Sequence, residues 1–292
     1  MKTAKIALIG LGEVGRVLAE DLGVRDGNEL AAWDVLFADA DSVPSRNAAR
    51  LGLQRTASAA DAAAGAGLVI SAVTAARDRE AAEAAAAGLE EGAWYLDLNS
   101  ASPGQKKEAA QAIEAAGGRY VEASVMSPIE PKRINAPILL GGPNARAFAG
   151  VAGGLGFSGV SFCSDVLGKA SATKLCRSVM IKGVEALVAE SMLAARAWGV
   201  EQDVLASLSN LLPSDDWEKL ATYMLSRSIE HGARRAEEMR EAARTVEETG
   251  IEPLMASATA LRQDWAAAHK DALTEENLGR MVDAIRATLA QG

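Results

Sequence analysis

An α/β domain built on a doubly wound, mostly parallel sheet, followed by an all-α domain, is the fold class this chain predicts. Three observations carry it. A glycine triplet at positions 10, 12 and 15 joins a short apolar run to a helical pattern. Strand-like and helix-like patterns then alternate to residue 164, as parallel strands with crossover helices require. From Asp165 onward the strand patterns stop and helical periodicity continues to the end. The expected domains are residues 1–164 and 165–292.

The first element is Lys5–Ile9, a short buried strand, and the helix after it carries Val14, Val17, Leu18 and Leu22 on its inner face. Between them runs Gly10-Leu11-Gly12-Glu13-Val14-Gly15, the G-x-G-x-x-G spacing. Gly10 permits the tight turn, Gly12 lets a pyrophosphate approach the backbone, and Gly15 lets the helix pack close to the strand. The helix N-terminus offers N–H groups and a partial positive charge to the phosphates. Strand, turn and helix together point to a Rossmann-type dinucleotide site, with an ordinary glycine-rich βα turn as the alternative.

Further strands are expected at Val35–Ala38, Leu68–Ala72, Tyr95–Leu98, Tyr120–Ala123, Ile138–Gly141 and Val160–Cys163, with helices such as Arg77–Ala87 and Gln105–Ala116 between them. In the second domain Ser171–Trp198 reads as one long helix. Arg227–Glu248 and Ser257–His269 read as helices with a charged face, and Pro213 and Pro253 mark helix boundaries.

Composition narrows the function. The 292 residues are 49% hydrophobic but only 4% aromatic, which suits closely packed helices. Net charge is −9, with no basic stripe carrying interleaved aromatics, so nucleic acid is not the expected partner. No apolar run reaches the ~18 residues a bilayer span needs, and the chain enters a strand at once, without a signal-peptide pattern. A cytoplasmic protein that binds no membrane is expected. Cys163 and Cys176 form no disulfide or metal spacing and are expected to be packing residues.

A dinucleotide site needs an acid near the end of the second strand, ~20 residues after the glycines, to hold the adenosine ribose. Asp39 follows the Val35–Ala38 run, and its rival Asp34 stands at that run's start. The carboxylates around Asp39 favour NAD over NADP, although Ser42 and Arg46 lie near. Ligands bind beyond the carboxyl ends of the strands in open α/β sheets. That adds Val73 and Thr74 after the third strand, and Asn99 and Ser100 after the fourth, where Ser102-Pro103 opens a helix.

At the domain junction Ser171, Lys174 and Ser178 share one helical face, and Lys182 follows one turn later. A lysine among Ala, Leu, Cys, Val and Met loses charge stability on burial, the tuning a general base requires. A snorkelling surface lysine is the alternative. No tyrosine has a lysine four residues later, and the two histidines, His231 and His269, form no zinc pattern, so no metal is expected.

These residues resemble the β-hydroxyacid dehydrogenase superfamily, which includes 6-phosphogluconate dehydrogenase and 3-hydroxyisobutyrate dehydrogenase. Residues 10–15 match its cofactor loop, and Asp97–Pro103 is similar to its D-x-S-T-x-S-P segment. Val121–Ser127 falls at its D-A-P-V-S-G substrate loop. Gly168 with Lys174 matches its G-x-G-x-x-x-K helix, and residues 174–187 and 234–241 resemble a branch with a distinctive C-terminal domain.

The resemblance implies an NAD(P)-dependent dehydrogenase of a β-hydroxy acid or related small alcohol, with Lys174 as acid/base. Asn99, Ser100, Ser127 and Ser178 would orient substrate or nicotinamide, with Ser124 a further candidate. His231, Arg227 and Arg234 are candidates to complete a site across a homodimer. The chain departs from the pattern at Ala170, Ser178 and Met126, where the second glycine, an asparagine and a serine are usual. A ketone or imine reductase using NADPH, and an NAD(H)-binding protein without turnover, are the alternatives.

Overall fold

The computed structural model describes residues 4–23, 28–208 and 216–289. It comprises two compact units, Met1–Lys174 and Leu175–Gly292. Pro213 lies outside the described residues.

The first unit contains β1 (Ala4–Ile9), α1 (Glu13–Gly23), β2 (Asn28–Trp33), α2 (Val43–Leu51), β3 (Gln54–Arg55), α3 (Ala59–Ala63), β4 (Leu68–Ser71) and α4 (Asp78–Ala86). It continues with β5 (Trp94–Asp97), α5 (Pro103–Ala115), β6 (Arg119–Val125), β7 (Ile138–Gly141), α6 (Ala145–Leu155) and β8 (Val160–Ser164). The eight strands are ordered β3-β2-β1-β4-β5-β6-β7-β8. All neighbours pair in parallel except β6 and β7. Strand order reverses direction between β1 and β4, the position at which such sheets bind ligands.

Alternation along the strands feeds two cores. Ile6, Leu8, Leu68, Ile70 and Leu96 face one layer with Val17, Leu18 and Phe148. Ala7, Ile9, Val69 and Tyr95 face the other, which α3, α4 and α5 cover almost entirely with alanine. Burial on both faces is why the parallel strands read as continuous apolar runs. Small residues let these elements approach closely, and after α4 only a glycine fits: a Cβ on Gly88 would stand 2.0 Å from the Ala60 carbonyl oxygen.

One strand expectation is corrected. Val35–Ala38 is a short 3-10 helix, and the second strand is Asn28–Trp33. Ala31 and Ala32 are wholly buried, whereas Val35 and Leu36 are exposed, so burial overrides the β-propensity of the Val-Leu-Phe run.

Helix α7 (Lys169–Trp198) is continuous, as its periodicity implies. Its residues from Leu175 onward belong to the second unit, with α8 (Glu201–Leu208), α9 (Trp217–Glu247), α10 (Leu254–Ala266) and α11 (Leu278–Leu289). Met192, Leu225, Ile229, Met281 and Ile285 centre its core. Pro253 stands at the N-cap of α10. Cys163 is half-buried, but Cys176 is exposed on α7 and is not a packing residue. No described helix is long and apolar enough to cross a membrane.

Candidate functional site

The glycine turn has the geometry its spacing implies. Gly10 adopts φ +92°, and a Cβ there would meet the Ala72 carbonyl oxygen at 2.5 Å, so the ends of β1 and β4 touch. A Cβ on Gly15 would stand 2.0 Å from the Gly10 carbonyl, which explains how tightly α1 sits on the turn. At Gly12 a Cβ would meet nothing within 4 Å, leaving open space at the mouth of the helix. Glu13 and Val14 form the first turn of α1, and the Arg16 N–H closes on the Gly12 carbonyl at 3.0 Å.

Leu11 is wholly buried and held from two sides. Its N–H donates to Asp34 Oδ2 at 2.8 Å, and its carbonyl accepts from Asn47 Nδ2 at 2.9 Å. Asp34 Oδ1 also accepts the Leu36 N–H at 2.9 Å. Asp34 therefore directly follows β2 and abuts the glycine turn. Asp39 lies beyond the 3-10 helix, where its Oδ1 accepts the Asp41 N–H at 2.9 Å. Sequence reasoning preferred Asp39 because it placed the strand too late. The signal for Asp34 was its position 23 residues after Leu11.

After β4 and β5, Asn99 joins the two strand ends. Its Oδ1 accepts the Val73 N–H at 2.7 Å, and its Nδ2 donates to Ser71 Oγ at 2.9 Å and Asp78 Oδ1 at 2.7 Å. Both amide protons are thus engaged within the unit, so Asn99 holds the Val73 and Ser100 segments in place. Thr74 is exposed at the cap of a short 3-10 helix.

Beneath Asn99 lies a buried charged cluster that sequence reasoning missed. Asp97 accepts from Lys106 Nζ at 2.6 Å, from the Tyr120 hydroxyl at 2.5 Å and from the Asn99 N–H at 2.9 Å. Asp78 completes it, with Lys106 Nζ at 3.9 Å. Burial and the Asp97 carboxylate push the Asp78 carboxyl well above the usual range. Burial opposes the charge on Lys106, but Asp97 and Asp78 outweigh it and raise its pKa. The signal was present: an acid ending a strand and a lysine one turn into the next helix. No pattern in a single sequence says that they turn inward.

Lys174 is half-buried and its Nζ donates to Ser100 Oγ at 2.6 Å. The first unit thus brings together two candidates that lie 74 positions apart. Ser124 is buried on β6, while Met126 and Ser127 are half-buried just beyond it. The Met126 N–H donates to the Pro137 carbonyl at 2.9 Å, and Ser127 Oγ to the Pro128 carbonyl at 3.0 Å. This connection is tied to α1: Arg133 donates to Asp21 Oδ1 and Glu20 Oε2 at 2.9 and 2.8 Å, and the Ile134 N–H to Asp21 Oδ2 at 3.0 Å.

The remaining candidates belong to the second unit. Ser178 is buried and accepts from Lys182 Nζ at 3.3 Å, and Lys182 also pairs with Glu238. Burial lowers the Lys182 pKa against the opposing pull of Glu238. On α9, His231 Nε2 lies 2.5 Å from Arg227 Nη1 and 3.1 Å from Glu230 Oε2, and Arg234 pairs with Glu238 at 2.8 Å.

A glycine turn at the reversal of strand order, an acid on the turn and a lysine–serine contact define a dinucleotide-binding protein with an acid/base candidate. Residues 5–155 match the NAD binding domain of 6-phosphogluconate dehydrogenase, and residues 195–266 match a domain of unknown function, DUF1932. The chain belongs to the β-hydroxyacid dehydrogenase family, with 6-phosphogluconate and 3-hydroxyisobutyrate dehydrogenases as its relatives.

Human mitochondrial 3-hydroxyisobutyrate dehydrogenase is 27% identical over 219 residues, which is 73% of this chain and 63% of that enzyme's length. A conserved hypothetical protein from Sinorhizobium meliloti 1021 is 37% identical, with a TM-score of 0.75 and 97% of each chain covered. The 3-hydroxyisobutyrate dehydrogenase of Mycobacterium tuberculosis, solved with L-serine, shares the fold at 20% identity, with a TM-score of 0.73 and 98% of this chain and 100% of that one covered.

Proposed function

We propose that this protein is an NAD(P)-dependent dehydrogenase of a β-hydroxy acid or related small alcohol, with Lys174 as general acid/base. The observation that carries this reading is the 2.6 Å contact between Lys174 Nζ and Ser100 Oγ. Lys174 stands on the helix that the family's lysine motif specifies, and Ser100 follows the strand next to β4, whose end touches the glycine turn.

The open space at Gly12 and the acid at Asp34 fit a dinucleotide. Gly10, Leu11, Gly12, Glu13, Val14 and Gly15 would hold its pyrophosphate, Asp34 its ribose hydroxyls, and Val73 and Thr74 the far side of the cleft. A carboxylate at Asp34 repels a 2′-phosphate and favours NAD. When bound, the nicotinamide supplies a hydride acceptor or donor. In the oxidative direction, neutral Lys174 accepts the hydroxyl proton at Nζ, and in reverse its ammonium returns that proton to the oxygen. Ser100 Oγ holds Nζ in place for the exchange. Orientation of this kind contributes ~7–11 kcal/mol in favourable intramolecular cases.

The test has two stages. Tryptophan quenching with NADH and NADPH should show micromolar binding with a preference for NADH. A panel of β-hydroxy acids is then assayed with the wild type and with Lys174→Met. Loss of ~10²-fold or more in kcat, with the NADH Kd unchanged, is expected. Near-normal turnover by Lys174→Met removes lysine catalysis, and failure to bind either dinucleotide withdraws the dehydrogenase reading.

A further inference from the structure

The contact between Lys174 and Ser100 depends on where the first turn of α7 is fixed. Two backbone N–H groups there converge on one side chain: Gly168 donates to Glu122 Oε2 at 2.7 Å and Ser171 to Glu122 Oε1 at 2.6 Å. Glu122 is wholly buried in the middle of β6. A carboxylate that accepts backbone N–H groups at a helix start satisfies orphan donors and meets the positive end of the dipole.

Space has been kept for it. A Cβ on Gly141, the register partner of Glu122 on β7, would stand 2.5 Å from Glu122 Oε2. Gly168 takes φ +92°, and a Cβ there would lie 2.9 Å from Pro103 Cβ. The turn that opens α7 is thereby pressed against the turn that opens α5, three residues beyond Ser100.

Ser100 is held in a parallel way. Asp97 is the register partner of Glu122 on the neighbouring strand, and it accepts the Asn99 N–H next to Ser100. Two adjacent buried carboxylates therefore fix the two halves of the contact: Asp97 the serine segment, Glu122 the lysine helix. Asp97 has Lys106 as its counter-charge, whereas Glu122 faces the two N–H groups of the helix start.

We propose that Glu122 is a positioning residue whose carboxylate, through the Gly168 and Ser171 N–H groups, sets the place of the Lys174 ammonium against Ser100. The functional meaning rests on Lys174 being the acid/base. The glutamine isostere would present an amide donor to one of the two N–H donors, so one charge-assisted bond is lost and a buried donor is left unsatisfied.

The experiment uses the full chain as wild type, Glu122→Gln, Glu122→Asp and Gly141→Ala, the last crowding the carboxylate without removing it. Hydrogen–deuterium exchange is followed over residues 167–175. Acetylation of Lys174 by acetic anhydride is measured relative to Lys132 and Lys219 in the same digest. In Glu122→Gln and Gly141→Ala, exchange over 167–175 should rise at least tenfold and the Lys174 labelling ratio should change at least threefold. NADH affinity should stay within twofold, and Glu122→Asp should recover part of both effects. With an oxidisable substrate, kcat should fall tenfold or more at unchanged KM.

A labelling ratio unchanged in Glu122→Gln and Gly141→Ala overturns the proposal and leaves Glu122 as a cap that only stabilises the helix. Should Glu122→Gln fail to fold, Gly141→Ala decides by the same readouts. The labelling needs no turnover. A wild type that oxidises nothing therefore sinks the dehydrogenase reading, while the labelling still decides whether Glu122 places Lys174.

Discussion

Asp34 and Asp39 stand on either side of one 3-10 turn, and the hydrogen bonds separate them. The Asp34 carboxylate takes the Leu11 N–H of the glycine turn, while the Asp39 carboxylate takes the Asp41 N–H of its own loop. Asp34→Ala should weaken NADH binding about tenfold, equivalent to ~1.4 kcal/mol, and narrow the preference over NADPH. Asp39→Asn should leave both affinities within twofold. Fluorescence titration of the two variants checks this, and the opposite ranking would return the ribose to Asp39. The glycine turn was legible because its spacing joins a strand to a helix, while Lys174 drew its weight from the family resemblance and its role is proposed. Asp34 was named only as the rival to Asp39, because the strand before it is built from Leu30, Ala31, Ala32 and Trp33, and alanine pairs carry little β signal. The roles of Glu122, Asp78 and Lys106 were hidden for another reason: a buried charge is recognised only by its partners, which come from other strands and helices.

Helix α1 joins the glycine turn at one end to an ion-pair network at the other. Glu20 meets Arg16 at 2.9 Å, Arg50 at 2.6 Å and Arg133 at 2.8 Å. Arg133 first, then Arg50 and Arg16, hold the Glu20 carboxyl at about 2, against 4.5 for the ordinary group. A carboxyl lowered on folding adds stability that is fully present above its unfolded value and is lost as pH falls through the folded one. The contribution should therefore persist at neutral pH and vanish between pH 4.5 and about 2. Arg133→Met should lower Tm at pH 7 and converge with the wild type near pH 2. A Tm gap that stays constant across this range would show that the network does not act through Glu20. Strand and helix order was legible from apolar periodicity, and most boundaries fell within two residues of the structure. The ties that hold the Met126–Pro137 connection to α1 join residues more than 100 positions apart, and local pattern carries no such information.

At the scale of the whole chain, alanine does most to shape the first unit and exposed apolar side chains mark the second. Met180, Ile181 and Leu187 on α7, and Leu254, Met255 and Leu261 on α10, are exposed. Contiguous exposed apolar surface marks association sites, and we propose that these two helices carry a homodimer contact. Sedimentation equilibrium at micromolar concentration should give two chain masses, and Leu187→Glu should shift it toward one. A monomeric wild type would contradict the expectation. The reversal of β7 carries a consequence of another kind. Because β7 runs back against β6, residues 126–137 turn round at the rim where β6 ends, and Ile129, Ile134 and Ala136 pack into the same core as Val17 and Leu18 of α1. Substitutions at Met126 and Ser127, where the Val121–Ser127 segment that the family resemblance gives to the substrate ends, would reroute no helix and re-pair no strand, whereas Ile129, Arg133 and Ile134 are bound into the α1 layer. Selection for a new substrate can thereby act on two side chains at the start of the turn, while selection for foldability holds the rest of it in place.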